Sequence, residues 1–476
     1  MKKSSVPVRT DLRADDVVVG VVEATRERRQ FLKRSLGAAG AVAAVAAAPV
    51  RAADPIGKDF PGWSTTPGTP MRSYGQPSKF EEKVLRTVTP SYGPISPGTG
   101  TSRTPLQTLN GTITPNGLHF ERHHNGVPEI DPAQHKLLIH GMVKKPLVFT
   151  VANLLRYPMV SRTCFVECAG NSSANTLPKP AQANCAAIHG LLSGSEWTGV
   201  SLSLLLDEAG VEPGAKWFLA EGADSAAMSR SVLLEKAYDD AIIALYQNGE
   251  RIRPEQGYPL RLLVPGYQGN MNVKWLRRLE LAAAPMHTKD ETSKYSLLLR
   301  DGTARQFDFQ LGVKSLITQP SGTLNVPGKG LHEISGLAWS GAGRIVKVEV
   351  SSDGGANWRE AVLQGPVLSK ALTRFRLPWE WSGAPAMLQS RATDEKGHVQ
   401  PTRAAWSAIY SPANRYHNNM IQTWAVAADG SVSNVYLYTS GGFRRGNAAA
   451  GCRHHAGYAA TILRAGPGTG ACRQRR

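Results

Sequence analysis

The residues best suited to chemistry lie between Arg162 and Thr176, in the run R-T-C-F-V-E-C-A-G-N-S-S-A-N-T. Thr163 to Glu167 alternates in a β-rich pattern, and Ala169-Gly170-Asn171 is too small and turn-prone to continue it. Cys168 therefore falls where a strand opens into a loop. A thiol so placed can point into a cleft, its thiolate stabilised by backbone N–H groups and cations, which suits a soft metal or a nucleophilic role. A free cysteine is otherwise a small buried core residue, and for Cys164 and Cys185 that is the better reading. With two of the five cysteines in the C-terminal tail, the chain has no disulfide framework. A structural zinc site on Cys164, Cys168 and His189 is an alternative, but C-x-x-x-C without a second close pair is a weak zinc signal.

Cys168-Ala169-Gly170-Asn171 resembles the molybdenum-ligand loop of the sulfite oxidase family, where one cysteine thiolate bonds a metal held by a pyranopterin dithiolene. Further segments match in order: Phe120-Glu121-Arg122-His123-His124 upstream, then Glu221 to Asp224, Gly257 to Gly266, and Asn272 to Leu276. Ordered segments over some two hundred residues are far more specific than one motif.

The resemblance implies a catalytic set of Cys168, Arg122 and Tyr295, with Cys168 the protein's metal ligand. Arg122 would hold substrate oxygen atoms, since a guanidinium offers a two-pronged donor and keeps its charge. It implies cofactor contacts from His124, Asp224, Arg261 and Lys274, while His123, without such a match, reads as a satisfied histidine. The cofactor implied is molybdenum with molybdopterin. No C-x-x-C-H occurs, so electrons must leave to another protein.

Relatives commonly follow C-A-G-N with arginines, where Ser172 and Ser173 stand here, and Gln256 stands where some members have a histidine. Together with the N-S-S-A-N-T run and a closing N-N-M-I-Q-T-W segment, this looks like the sulfane dehydrogenase branch. That branch implies a sulfane sulfur on a cysteine of a carrier protein as substrate in thiosulfate oxidation, a c-type cytochrome as electron acceptor, and a homodimer. A sulfite:cytochrome c oxidoreductase acting on free sulfite is the first alternative. A non-enzymatic periplasmic binding module is the second.

The surrounding chain supplies the elements that position these residues. Lys136 to His140 and Leu260 to Val264 read as strands. Thr150 caps a short helix through Arg156, and Ser201 to Ala209 is a helix ended by Gly210. This mixture predicts an α+β domain over residues 118–314, and the lack of a G-x-G-x-x-G after a strand leaves a nicotinamide site unsupported. From about residue 315 short strands recur without helices. Val346, Val348 and Val350 alternate with charged residues, Asp353-Gly354-Gly355 turns, and Trp358 starts a return strand. The pattern predicts an immunoglobulin-like β-sandwich over 315–436, which the resemblance makes a dimerisation domain.

Residues 53–117, rich in Pro, Gly, Thr and Ser, read as a surface wrap. Residues 1–52 carry Arg28-Arg29-Gln30-Phe31-Leu32-Lys33 before a weakly apolar Ala-rich run, the pattern of a Tat export signal to the periplasm rather than a membrane span. Residues 437–476, with 7 arginines and no acids, read as a disordered tail. Of the formal charge of +18, the first 52 residues hold 10 Lys/Arg against 5 Asp/Glu, so removing both ends leaves a body of about +6, which argues against a nucleic-acid partner.

Overall fold

The computed structural model describes residues 61, 66–89 and 97–437. The export signal read at Arg28-Arg29 and the tail beyond residue 437 lie outside the described residues. The chain divides into units 1–77 and 78–476. The described part of the first is exposed chain with bends and no regular element.

The second unit holds the α+β and β-sandwich parts. Its helices are short, the longest in the described residues being Leu202–Ala209, and most of the structure is strand. Two five-stranded sheets form the α+β part. In one, the order is Glu250–Arg251, Ile242–Gln247, Leu192–Ser201, Met159–Glu167, with Arg261–Leu263 also pairing Ile242–Gln247. In the other, the order is Leu147–Thr150, Lys136–Gly141, Leu276–Ala282, Trp217–Gly222, Ser229–Leu233, with the second and third strands parallel. Leu137, Ile139, Val200, Phe218, Ile243 and Leu279 are fully buried members of one core that joins them.

Met159–Glu167 explains its own sequence. Its first residues are partly exposed, but Cys164 to Glu167 are buried without a break, so both faces are covered where the strand reaches the loop. A continuous buried run replaces alternation there.

The stretch read as a surface wrap does more than wrap. Thr87–Thr89 and Gly100–Arg103 form a three-stranded antiparallel sheet with Glu121–His123. Leu106 enters the main core, and Arg374 of the sandwich donates to the backbone carbonyls of Leu109 and Gly111 at 3.1 and 2.9 Å. Pro and Gly hide periodicity, so partnership with distant strands could not be read from local pattern.

The sandwich packs a four-stranded sheet (Lys314–Gln319, Gly330–Trp339, Thr373–Trp381, Val362–Gln364) on a five-stranded one (Arg359–Glu360, Ile345–Ser351, Ala386–Asp394, Thr423–Val426, Val432–Val435). Its core of Trp339, Phe375 and Trp424 is continuous with Phe165 and Leu192 of the Cys168 sheet.

Two local expectations change. The helix after Thr150 ends at Leu154, two residues before Arg156, although the Thr150 cap is made in full with Asn153. Val348 and Val350 are buried but Val346 is exposed, because a register shift between Ile345 and Lys347 turns Ile345 inward in its place.

Candidate active site

A cleft opens where these elements meet, and Arg122, His124, Cys168, Asp224, Arg261, Lys274 and Tyr295 all line it. The seven come from segments far apart in sequence. Each is placed by a distinct local device.

Cys168 follows the last residue of its strand. Its N–H donates to Leu191 O at 3.0 Å and its carbonyl accepts from Asn171 N–H at 2.9 Å, closing the A-G-N turn. A Cβ on Gly269 would lie 2.9 Å from Glu167 O and 3.3 Å from Cys168 Cα, so only glycine lets that loop lie against the thiol segment. Burial pushes the Cys168 thiol up, opposed by a Gly170 N–H and by Arg122. The bare group is therefore a protonated thiol rather than a ready thiolate, and a bound metal would supply the missing stabilisation.

Arg122 sits mid-strand opposite Thr101. Glu121 and His123, two apart, share the other face, where His123 Nε2 lies 2.8 Å from Glu121 Oε2. Lys274 Nζ reaches His123 Nδ1 at 2.9 Å, Glu255 O at 3.1 Å and Arg122 O at 3.3 Å. His123 is thus buried and held on both ring nitrogens.

Arg261 is buried with its guanidinium 4.9 Å from the Trp197 ring. It donates to Gln256 O at 3.0 Å and Asn272 O at 2.7 Å, leaving Nε without a partner among the described residues. Gly257 has φ 112°, and a Cβ added to it would lie 3.0 and 3.2 Å from the Cβ atoms of Lys274 and Arg261, so a side chain there would part the two cations. Asp224 is buried in the turn after Trp217–Gly222 and accepts from Met228 N–H at 3.4 Å.

Tyr295 Oη lies 3.1 Å from His124 Nε2. Its backbone is left-handed, φ 58°, and its ring lies 4.8 Å from the Arg230 guanidinium and 5.3 Å from the Tyr416 ring.

The electrostatics point one way. Burial, then Arg122, lowers His124 to about 3; burial, then Arg261, lowers Lys274 to about 7; burial lowers Arg261 to about 10 and His119 to about 3. Of the two carboxylates lining the cleft, Glu121 is already engaged by Arg86 and His123. The cleft therefore penalises its own cations until an anion arrives. A thiol beside the unpaired Arg261 Nε–H donor fits an anionic group carrying a soft metal.

One consequence is measurable in protein prepared without cofactor. A Lys274 pKa near 7 in the folded chain, against ~10.4 when unfolded, means the folded state holds fewer protons between those values. This group's contribution to stability therefore rises with pH across that window and is most unfavourable below pH 7. The expected result is a Tm gain from about pH 7 to 10 that is smaller in Lys274→Met; an equal gain in both proteins would refute the assignment.

Sequence reasoning passed over His119, Arg230 and Asn270, and gave a role to Lys274 alone within the segment Asn272 to Leu276, although Asn272 and Trp275 also line the cleft. Arg230 alone gave a signal, as a single cation inside a strand of Ser and Val. The zinc alternative fails on geometry. His189 is engaged on both nitrogens, by Ser172 at 2.7 Å and Gln422 at 3.1 Å, and no three His, Cys, Asp or Glu converge on a metal position among the described residues.

The fold and cleft define a molybdopterin-dependent oxidoreductase. Residues 124–289 match the model of the oxidoreductase molybdopterin binding domain, and 305–424 that of the Mo-co oxidoreductase dimerisation domain. The chain belongs to the sulfite oxidase family of molybdenum enzymes. It is similar to the sulfane dehydrogenase SoxCD of Paracoccus pantotrophus, at 46% identity and a TM-score of 0.77, covering 80% of this chain and 98% of that one. Barley (Hordeum vulgare) nitrate reductase [NAD(P)H] is 31% identical over 65% of this chain, and mouse (Mus musculus) mitochondrial sulfite oxidase 29% over 67%. The chain spans 39% of that nitrate reductase and 63% of that sulfite oxidase. Membership implies molybdenum held by molybdopterin, and removes the reading of a non-enzymatic binding module.

Proposed function

We propose that this chain is a periplasmic, Tat-exported molybdenum subunit that oxidises a sulfane sulfur carried on a cysteine of a SoxYZ-like protein in thiosulfate oxidation. Electrons pass to a SoxD-like c-type cytochrome, and the sandwich, 315–436, forms a homodimer. The observation that carries the reading is the convergence on one cleft of Cys168 with the six other residues, in a chain 46% identical to that SoxCD chain over nearly all of its length.

In this reading Cys168 is the metal ligand. Arg261 and Lys274 meet the cofactor's anionic end, and His124 and Asp224 its polar ring edge. The molybdenum–molybdopterin group, when bound, supplies oxygen-atom transfer to reduced sulfur and takes up the electron pair released. Arg122 orients the oxygen atoms accumulating on sulfur. Tyr295 keeps its phenolic proton, since burial and the neighbouring Cys168 hold it well above the usual tyrosine range, and so donates a hydrogen bond into the cleft. His124, neutral at physiological pH, accepts or relays that proton at 3.1 Å.

Arg122→Lys is expected to retain molybdenum while raising KM about tenfold or more, because an ammonium cannot reproduce the fork. Metal analysis beside steady-state kinetics checks it; loss of metal would give Arg122 a cofactor role instead.

The similarity to mouse sulfite oxidase keeps free sulfite as a second reading. Against it, Ser172 is buried and bonded to Lys314 and His189, so the position after C-A-G-N offers no cation to a free dianion. Assay of purified protein with sulfite and with a persulfidated carrier separates the readings. Fast turnover of free sulfite without carrier would overturn the first.

A further inference from the structure

The strand that delivers Cys168 also delivers Glu167, and successive strand side chains face opposite ways. Val166 and Cys168 line the cleft; Glu167, between them, is buried away from it. Its carboxylate is fully engaged. Oε1 accepts from Asn171 Nδ2 at 2.9 Å and Lys314 Nζ at 3.0 Å, and Oε2 from Trp339 Nε1 at 2.8 Å. Lys314 Nζ also donates to Ser172 Oγ at 2.7 Å, and its side chain is as buried as that of Glu167.

These contacts cross a seam. Glu167, Asn171 and Ser172 flank Cys168 on both sides, whereas Lys314 and Trp339 stand on strands Lys314–Gln319 and Gly330–Trp339 of the sandwich. The loop that carries the thiol is therefore clamped by a charge pair with one member in each part of the fold.

Stability alone does not explain that pair. Removing two charges from water costs several kcal/mol per ion in typical cases, and apolar replacements of similar volume are often neutral or better. What a buried, fully bonded pair supplies is a fixed geometry.

We infer that Glu167 and Lys314 are positioning residues for Cys168, so that the sandwich sets the orientation of the sulfur toward the metal. This rests on Cys168 being the molybdenum ligand. After C-A-G-N this chain has Ser172, which takes a hydrogen bond from Lys314, a cation brought from the sandwich side and balanced at once by Glu167. The pair acts as an outer shell, holding a ligand it does not replace.

The test compares wild type, Lys314→Met, Glu167→Gln, the double variant and Lys314→Arg for Tm, molybdenum content and the paramagnetic molybdenum signal. Each neutralising single variant leaves one buried charge unpaired and is expected to lower Tm. The double variant is expected to recover Tm and molybdenum content, yet keep a shifted molybdenum signal and turnover about 10–100-fold down. Lys314→Arg keeps the charge with a different reach, and is expected to fold normally with a shifted signal. Wild-type signals in both the double variant and Lys314→Arg would overturn the inference and leave the pair structural. Wild-type protein matured with cofactor but lacking molybdenum would instead overturn the assignment of Cys168 itself.

Discussion

Cys168→Ser is expected to lower turnover by more than ~100-fold, beyond the 10–100-fold typical of losing an outer-shell partner, while leaving the fold intact. The thiol sits at the end of a strand whose backbone bonds to Leu191 and Asn171 do not involve the side chain. Exchanging sulfur for a hydroxyl oxygen therefore changes little packing. It does replace the thiol lining the cleft by a harder oxygen whose proton is far more difficult to remove. Arg261, Lys274, His124 and Asp224 are untouched, so pterin is expected to remain bound while the cysteine-sulfur share of the sulfur-to-metal absorption is lost. Pterin content, visible absorption and turnover on the same preparation check the three parts. Turnover within tenfold of wild type would remove Cys168 from the metal, whatever its place in the cleft.

The sequence carried much of this site because its chemistry is local. C-A-G-N is a turn beside a thiol, and Gly257 and Gly269 are glycines because backbone or neighbouring side chains crowd them. Such constraints leave marks at the position itself. The strands of the α+β part were legible where one face is wet, as at Lys136–Gly141, whose burial alternates along most of its length. What stayed hidden depends on distant partners. Nothing near Glu167 announces Lys314, 147 residues later, as its counter-ion. Val346 shows the same limit within one strand, since a shift in pairing with Ala386–Asp394 decides which residue turns inward. The strands Thr87–Thr89 and Gly100–Arg103 were lost for the same reason, since the first pairs with the second and the second with Glu121–His123, partners their own pattern does not show.

Arg230 is the hidden residue with the largest expected effect on stability. It is 1% exposed, and its guanidinium meets Glu291 through two parallel bonds, Nε to Oε1 at 3.0 Å and Nη2 to Oε2 at 3.2 Å. Glu291 also accepts Ser231 N–H at 2.7 Å, which ties the segment before Tyr295 to strand Ser229–Leu233. Arg230→Met would strand that carboxylate in the interior, a loss typically of about 3–5 kcal/mol, read as a lower Tm and an earlier denaturation midpoint. The second consequence falls on Tyr295. A left-handed tyrosine is strained by ~1–3 kcal/mol and persists only where its surroundings over-determine it. Those surroundings are Arg230, Tyr416 and the His124 bond. Without the guanidinium one of the three restraints is gone, so turnover is expected to fall even well below the new Tm, with molybdenum retained. Arg230→Met combined with Glu291→Gln separates the effects. Removing the stranded charge should return most of the stability but not the activity, because neither replacement restores a cation beside the Tyr295 ring. Recovery of both would show that Arg230 serves the fold alone, and a wild-type Tm in the single variant would show that the ion pair does not form as described.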